Sequence, residues 1–303
     1  MSWRVSRVSI QQLLNGISLG SVYALIAVGF ALVFNILKFS NFAHGGVMTM
    51  TAYIGLAASM FFSRWFSGVS LFAATLLSSA VAGAGVGIVL ERMAFRRIRN
   101  NNSPVIYYFI SSITMGILME NIVTIFASST FYSYPKFFEL TVVNIAHVNI
   151  ALTDLLMLVF SSSALMLLLW VLYRTKIGLA IRALSFDVNT ANLMGMDSNR
   201  VVMATFIAAG VLGGIAGVFL GINYTLYPQL GQLIVKGFIA SVIGGLGSIT
   251  GAMIGAVLLG VLEVTLISLV GAGIAPVFVF VIMLTFLLVR PRGIAGVIVQ
   301  EKA

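Results

Sequence analysis

Residues 201–222 read VVMATFIAAGVLGGIAGVFLGI, with no charged side chain anywhere in the run. As a helix this stretch rises about 33 Å, enough to cover the roughly 30 Å hydrocarbon core of a bilayer. Comparable apolar runs cover 10–36, 45–62, 69–90, 104–126, 152–172 and 250–269, with a shorter one at 275–289. Between them, 233–247 is too short to cross comfortably and predicts a short or re-entrant helix. The expected fold is therefore all-α: a polytopic membrane protein with about 8–9 transmembrane helices. No strong internal repeat or low-complexity tract interrupts the pattern, so residues 1–303 are expected to form a single transmembrane domain.

Composition agrees with this reading. Apolar residues make up 60% of the 303 and charged residues only 8%, against about 25% charged in a soluble domain. Mean hydropathy is +1.10. An ordinary soluble enzyme, a nucleic-acid-binding module and a disordered adaptor are excluded, and the expected surroundings are a lipid bilayer. The net charge of +9 fits basic residues gathered in cytoplasmic loops. Three clusters carry it: Arg92, Arg96, Arg97 and Arg99; Arg174, Lys176, Arg182 and Arg200; and Arg290, Arg292 and Lys302. Placing them all inside, with Lys38, requires an outside N-terminus and counts 233–247 as a crossing. Arg4, Arg7, Arg64, Lys136 and Lys236 run against that arrangement. The nine residues MSWRVSRVS before the first apolar run are short for a leader, and that run exceeds a signal-peptide core, so a retained helix is expected.

Glycines recur four apart within the apolar runs, as Gly16/Gly20, Gly83/Gly87, Gly210/Gly214, Gly213/Gly217, Gly217/Gly221, Gly247/Gly251 and Gly251/Gly255. That spacing puts each pair on one helix face, where helices approach closely or slide.

Several chemistries are missing. None of the five lysines follows a glycine, so the chain has no Walker A phosphate cradle. Cysteine is absent, which removes disulfides, thiolate metal sites and a cysteine nucleophile. His44 and His147 have no histidine partner at zinc spacing. No cofactor is expected, and enzyme is the minority reading.

Polar groups at membrane depth remain. Glu120 lies about 24 Å along its helix and Glu263 about 20 Å along its own. A charge at helix centre costs on the order of 3 kcal/mol, so each faces protein or water. Either a structural partner within the bundle (Asn121 for Glu120) or a pathway role would satisfy that demand. Asn41-Phe42-Ala43-His44-Gly45-Gly46 separates two apolar runs and reads equally as a turn or a site.

The polar segment 173–200, YRTKIGLAIRALSFDVNTANLMGMDSNR, is not a plain linker. Asp187 can cap a short helix over 188–194, Gly195 can end it, and Asp197 or Ser198 can cap the next span. So short a helix must dock, either on its own chain or on a cytoplasmic partner, and Thr190 and Ala191 suit close approach.

Taken in order, these residues resemble the permease subunits of branched-chain amino acid ABC transporters, of the shorter of the two partner types. Leu13-Leu14-Asn15-Gly16 through Tyr23-Ala24-Leu25 looks like the family's opening helix, and Asn41-Phe42-Ala43-His44-Gly45 like its short motif. Thr175-Lys176-Ile177-Gly178 through Leu193-Met194-Gly195 resembles its cytoplasmic coupling segment. Gly244-Gly245-Leu246-Gly247-Ser248-Ile249 with Gly251 resembles its glycine-rich turn, and Glu263 matches an acidic position after it. In the E-A-A-x-x-x-G loop of such importers, Asn189-Thr190-Ala191 and Gly195 occupy the matching positions, with the Glu and first Ala replaced.

The resemblance implies an importer permease carrying branched-chain or related amino acids across the bacterial inner membrane. It would pair with a second permease subunit, two cytoplasmic ATP-binding subunits and an extracytoplasmic substrate-binding protein. ATPase coupling would fall to Gly178, Arg182, Asp187, Asn189, Thr190, Ala191 and Gly195. The pathway or gate would involve Asn41, His44, Gly45, Glu120, Asn121 and Glu263. The alternative class is an autonomous secondary carrier or channel for a small polar solute, with an intramembrane hydrolase a distant third.

Overall fold

A computed structural model describes residues 2–101, 103–138, 142–145, 148–290 and 293–295, and no side chain before Ile10. His147, Arg292 and Lys302 lie outside the described residues, as do the side chains of Arg4 and Arg7. The described residues are helical almost throughout, and among them seven helices are long and apolar enough to cross a membrane. In order they belong to α1 (Ser2–Leu37), α2 (Ala43–Phe62), α3 (Gly68–Leu90), α5 (Val105–Ala127), α6 (Leu152–Arg174), α9 (Ser198–Tyr224) and α11 (Ile249–Val270). A π-turn, Glu91–Phe95, carries α3 on into α4 (Arg96–Asn100). Two shorter helices, α7 (Lys176–Phe186) and α8 (Val188–Leu193), precede α9. The expected short helix at 233–247 is α10 (Ile234–Gly244), led in by a 3-10 turn over Pro228–Leu233. At about 1.5 Å per residue α10 covers roughly 16 Å, half of the hydrocarbon core. Helix α12 (Ala275–Val289) is the shorter apolar segment. A two-stranded antiparallel hairpin, Val142–Ile145 with Val148–Ala151, is registered Val142 to Ala151.

The chain divides into two compact units, each assembled from separate stretches of sequence: Met1–Ala31, Leu140–Ser162 and Lys236–Ala303 in one, Leu32–Glu139 and Ser163–Val235 in the other.

In the second unit, α3 and α9 meet through glycine. A Cβ on Gly83 or Gly210 would strike the other residue's carbonyl, and one on Gly87 or Gly214 would strike Phe206 or Ser79 backbone. The missing side chains let the two backbones touch, which is how helices gain packing where no hydrophobic force drives them together. The Ser79 hydroxyl lies 2.8 Å from the Thr51 carbonyl and 2.9 Å from that of Gly214, tying α2 to the pair. Tyr134, in the loop after α5, donates to the Ala52 carbonyl at 2.6 Å. Burial pushes its hydroxyl well above the usual tyrosine range, keeping it a donor. At the other end, Glu91 is fully buried and holds Arg96 at 2.8 Å and Arg99 at 2.6 Å. Arg99 Nε also donates to Asn199 Oδ1 at 3.0 Å. Half of the first basic cluster therefore serves as a counter-charge to a buried acid.

The glycine contacts give a direct test. Gly83→Ala is expected to abolish accumulation of folded protein, because a backbone carbonyl cannot move aside as a side chain can. Gly85→Ala, on the same helix with nothing within 4 Å of its Cβ position, should leave the melting midpoint unchanged or raise it slightly. Thermal melting in detergent, followed by fluorescence size exclusion, separates the two.

In the first unit, α1 lies along α11. A Cβ on Gly16 would sit 2.7 Å from Val261 Cα, and one on Gly20 2.8 Å from Val257 Cα. Helices α10 and α11 form a tight hairpin through Gly244, Gly251 and Gly255. Ser248 caps α11 by accepting from Gly251 N at 3.1 Å. The Ser241 hydroxyl donates to the Ala27 carbonyl at 2.8 Å, fixing α10 on α1. After α12, the amides of Ile294 and Ala295 each donate at 2.9 Å, to the carbonyls of Ile243 and Gly244.

Candidate coupling and translocation sites

The segment 173–200, expected to serve in coupling, is more ordered than its sequence suggests. The Thr175 hydroxyl accepts from Gly178 N at 3.2 Å and starts α7, a helix missed in sequence. Gly178 is where α7 turns under α6: a Cβ there would collide with the carbonyls of Val171 and Leu172. Ile181 and Leu184 bury the inner face of α7. The Arg182 guanidinium stacks over the Tyr173 ring, its Cζ 5.2 Å from the centroid. Asp187 then caps α8, accepting from Asn189 N at 2.9 Å and from the Thr190 hydroxyl at 2.6 Å. Gly195 takes φ +85°, and Met196 N closes back on the Ala191 carbonyl at 3.1 Å, a bond pattern that ends helices on a left-handed residue. Asp197 caps α9 through Asn199 N at 3.0 Å and Arg200 N at 3.3 Å.

One reading changes here. Ala191, expected to suit close approach to a partner, is 4% exposed and faces inward within its own chain. Asn189 and Thr190 are exposed, but Thr190 spends its hydroxyl on the cap. Beside these polar groups the hairpin exposes three large apolar side chains: Phe186 is 92% exposed, Leu193 87% and Met194 78%. The available signal was three large apolar residues inside a polar segment.

The segment around Asn41 is also not a turn throughout. Only Lys38–Phe42 is non-helical, with Lys38 at φ +56°. His44, Gly45 and Gly46 fall in the first turn of α2. The Phe42 amide donates to the Ser112 hydroxyl of α5 at 3.3 Å, and a Cβ on Gly46 would sit 3.0 Å from Gly116 Cα. Gly45 abuts Gly231 of the 3-10 turn, and His44 points at α9, its Cε1 2.9 Å from a Cβ on Gly213. Asn41 and His44 are both buried, and neither Asn41 Oδ1 nor His44 Nε2 has a hydrogen-bond partner.

Glu263 is buried on α11 and is not alone. Lys236 Nζ of α10 donates to its Oε1 at 2.6 Å, and the Tyr23 hydroxyl of α1 donates to its Oε2 at 3.0 Å. Lys236 also donates to the Tyr23 oxygen at 2.9 Å. The three groups close a ring joining α1, α10 and α11. Lys236, which ran against the charge arrangement in sequence, is thus a partly buried counter-charge to Glu263 rather than a loop cation. Glu120, by contrast, is half-buried on α5. Its neighbour Asn121 is exposed and donates to the Ile117 carbonyl at 2.8 Å, so the local pairing expected between the two does not form.

Seven helices of spanning length among the described residues, packed through glycine, mark a multi-pass membrane protein. Residues 12–289 match the family described as branched-chain amino acid transport system, permease component, and the chain belongs to that family. It is similar to the high-affinity branched-chain amino acid transport system permease protein LivH of Escherichia coli K12, at 33% identity over 95% of both chains. It is similar also to the corresponding permease protein BraD of Pseudomonas aeruginosa, at 34% identity over 95% of both. A solved inward-facing putative metal-chelate type ABC transporter covers 91% of this chain and 85% of its own, at 17% identity and a TM-score of 0.48, a likeness too distant to carry an argument.

Proposed function

We propose that this permease acts in a binding-protein-dependent ABC importer for branched-chain or related amino acids in a bacterial inner membrane. The relatives named above are permeases for branched-chain amino acids, which supports that substrate class. The whole chain works as one transmembrane permease domain, with 173–200 as its coupling segment on the cytoplasmic side. It pairs with a second permease, two cytoplasmic ATP-binding subunits and an extracytoplasmic substrate-binding protein. ATP hydrolysis takes place on the partner chains, since this chain has no phosphate cradle.

The observation that carries the reading is the hairpin of α7 and α8. Thr175 and Asp187 cap its two helices, and it exposes Phe186, Leu193 and Met194, side chains that water disfavours and that a partner's cleft would bury. A lever with an apolar tip can transmit a movement of the ATPase to the spans on either side, α6 and α9. An autonomous carrier has no use for such a tip. Co-expression with the ATP-binding subunits and purification through a tag on this chain should recover the ATPase in stoichiometric amount. Proteoliposomes of the full complex should take up leucine only with ATP and binding protein present. Leucine uptake by this chain without the ATPase would instead establish the carrier reading.

A further inference from the structure

Helix α2 carries Gly45, Thr49 and Tyr53 at four-residue intervals, which sets them on one face. At Gly45 and Thr49 that face meets the 3-10 turn Pro228–Leu233. Gly45 and Gly231 touch backbone to backbone, and Thr49 Oγ1 lies 2.8 Å from where a Gly231 Cβ would be. Thr49 is fully buried, yet its hydroxyl has no hydrogen-bond partner. Other buried helical threonines here bond the carbonyl one turn back: Thr51 to Val47 at 2.7 Å, Thr75 to Leu71 at 2.8 Å and Thr205 to Val201 at 3.0 Å. Thr49 does not. The Tyr53 hydroxyl and Asn41 Oδ1 are buried and unpartnered as well. Each such group bears its full desolvation cost with no return, so this arrangement is strained in polar terms as long as the contact stays shut.

Two further features favour its opening. At its centre the contact is glycine backbone on glycine backbone, Gly45 against Gly231, so no side chain of either residue has to be withdrawn for it to part. Both sides follow joints with backbone in the left-handed half of φ: Lys38 at +56° before α2, and Thr225 at +66° before the 3-10 turn. Thr225, with ψ 152°, occupies a region almost reserved for glycine, and strain of that kind collects at switch regions.

We propose that the contact of α2 with Pro228–Leu233 is the closed form of a seam in the translocation pathway, which parts during transport and presents Asn41, Thr49 and Tyr53 to the polar end of a zwitterionic solute. This rests on the transport reading above. The groups on offer are neutral: a carboxamide oxygen that accepts from an ammonium, and hydroxyls that donate to a carboxylate. A solute of zero net charge passes such groups without needing a fixed counter-charge.

The chain has no cysteine, so Thr49→Cys can be probed alone in the assembled complex in proteoliposomes. A small water-soluble methanethiosulfonate reagent is expected to leave it unmodified at rest and to modify it at least tenfold faster during ATP-driven leucine uptake. Thr51→Cys, equally buried but turned toward Gly217 of α9, should stay unmodified in both conditions. Thr49→Val, which keeps shape and removes the hydroxyl, should raise the melting midpoint and lower leucine uptake tenfold or more, while Thr49→Ser retains it. The seam is overturned if Thr49→Cys stays unmodified in a complex that transports leucine, if Thr51→Cys reacts equally fast, or if Thr49→Val transports at the parental rate. A parental complex that takes up no leucine counts instead against the transport reading, since that result precedes any variant.

Discussion

Glu263→Gln alone is expected to lower the melting midpoint of this permease by roughly 10 °C, and Lys236→Met alone by a similar amount. Glu263 and Lys236 lie 2.6 Å apart with side chains 5% and 19% exposed, too little contact with water for either to be rehydrated when its partner goes. Removing one member of such a pair leaves an uncompensated buried charge, at a cost of about 3–5 kcal/mol. Removing both is far cheaper, because the desolvation of two ions disappears together with their attraction. The double variant Lys236→Met with Glu263→Gln should therefore recover most of the lost stability. Tyr23→Phe should cost about 1–3 kcal/mol, since it withdraws a hydrogen bond from a buried carboxylate. Thermal melting of the four purified proteins in one detergent checks the cycle. Equal, additive losses in the double variant would show that the two charges do not depend on each other. A gating role for Glu263 is then judged from leucine uptake by the double variant, whose fold is restored but whose charges are gone.

The second large effect falls on the coupling hairpin. Leu193→Ala combined with Met194→Ala should weaken association with the ATP-binding subunit about a hundredfold. Each side chain is mostly exposed in the chain alone, and burying it at an interface contributes roughly 1.5 kcal/mol, with tenfold in affinity for each 1.4 kcal/mol. Neither truncation disturbs the fold, since neither residue packs inside it. Ala191→Trp behaves differently. Ala191 is buried in its own chain, so the large ring displaces α8 from α7 and α9, and loss of binding is accompanied by loss of local order. Titrating the ATP-binding subunit against each variant in nanodiscs, with limited proteolysis of the 173–200 segment alongside, distinguishes the two. If the double alanine variant binds as tightly as the parent, the docking surface is not the apolar tip.

Much of this architecture was legible in sequence because its causes are local. Hydrocarbon offers no hydrogen bonds to a backbone, so any run of about 20 apolar residues that crosses must be a helix. The spans are accordingly found within a few residues of where hydropathy places them. Asp187 and Asp197 cap the helices that follow them because a cap is decided within three residues, and Gly195 ends α8 for the same reason. The glycine spacing announced close approach at Gly83, Gly87, Gly210 and Gly214. It did not say that α3 and α9 are the helices that approach each other.

What tertiary structure alone decided is which faces look inward and which distant residues meet. In a soluble helix, periodicity of apolar residues marks the buried face. Here lipid-facing residues are as apolar as interior ones, so rotation about the helix axis leaves almost no trace in the sequence. That is why Thr49 and Tyr53 drew no notice. Ala191 lies outside the spans, on a six-residue helix too short for periodicity to mark a face, and it faces its own chain. Tyr23, Lys236 and Glu263 are spread over most of the chain, and only the packing of α1 and α10 against α11 brings their polar atoms within 3.0 Å of one another. Lys236 looked like an exception to a charge rule until the fold supplied its acid. Sequence placed the long spans to within a few residues, because the bilayer acts on each segment separately. The bundle set the pairing of charges, because that depends on how helices are turned toward one another.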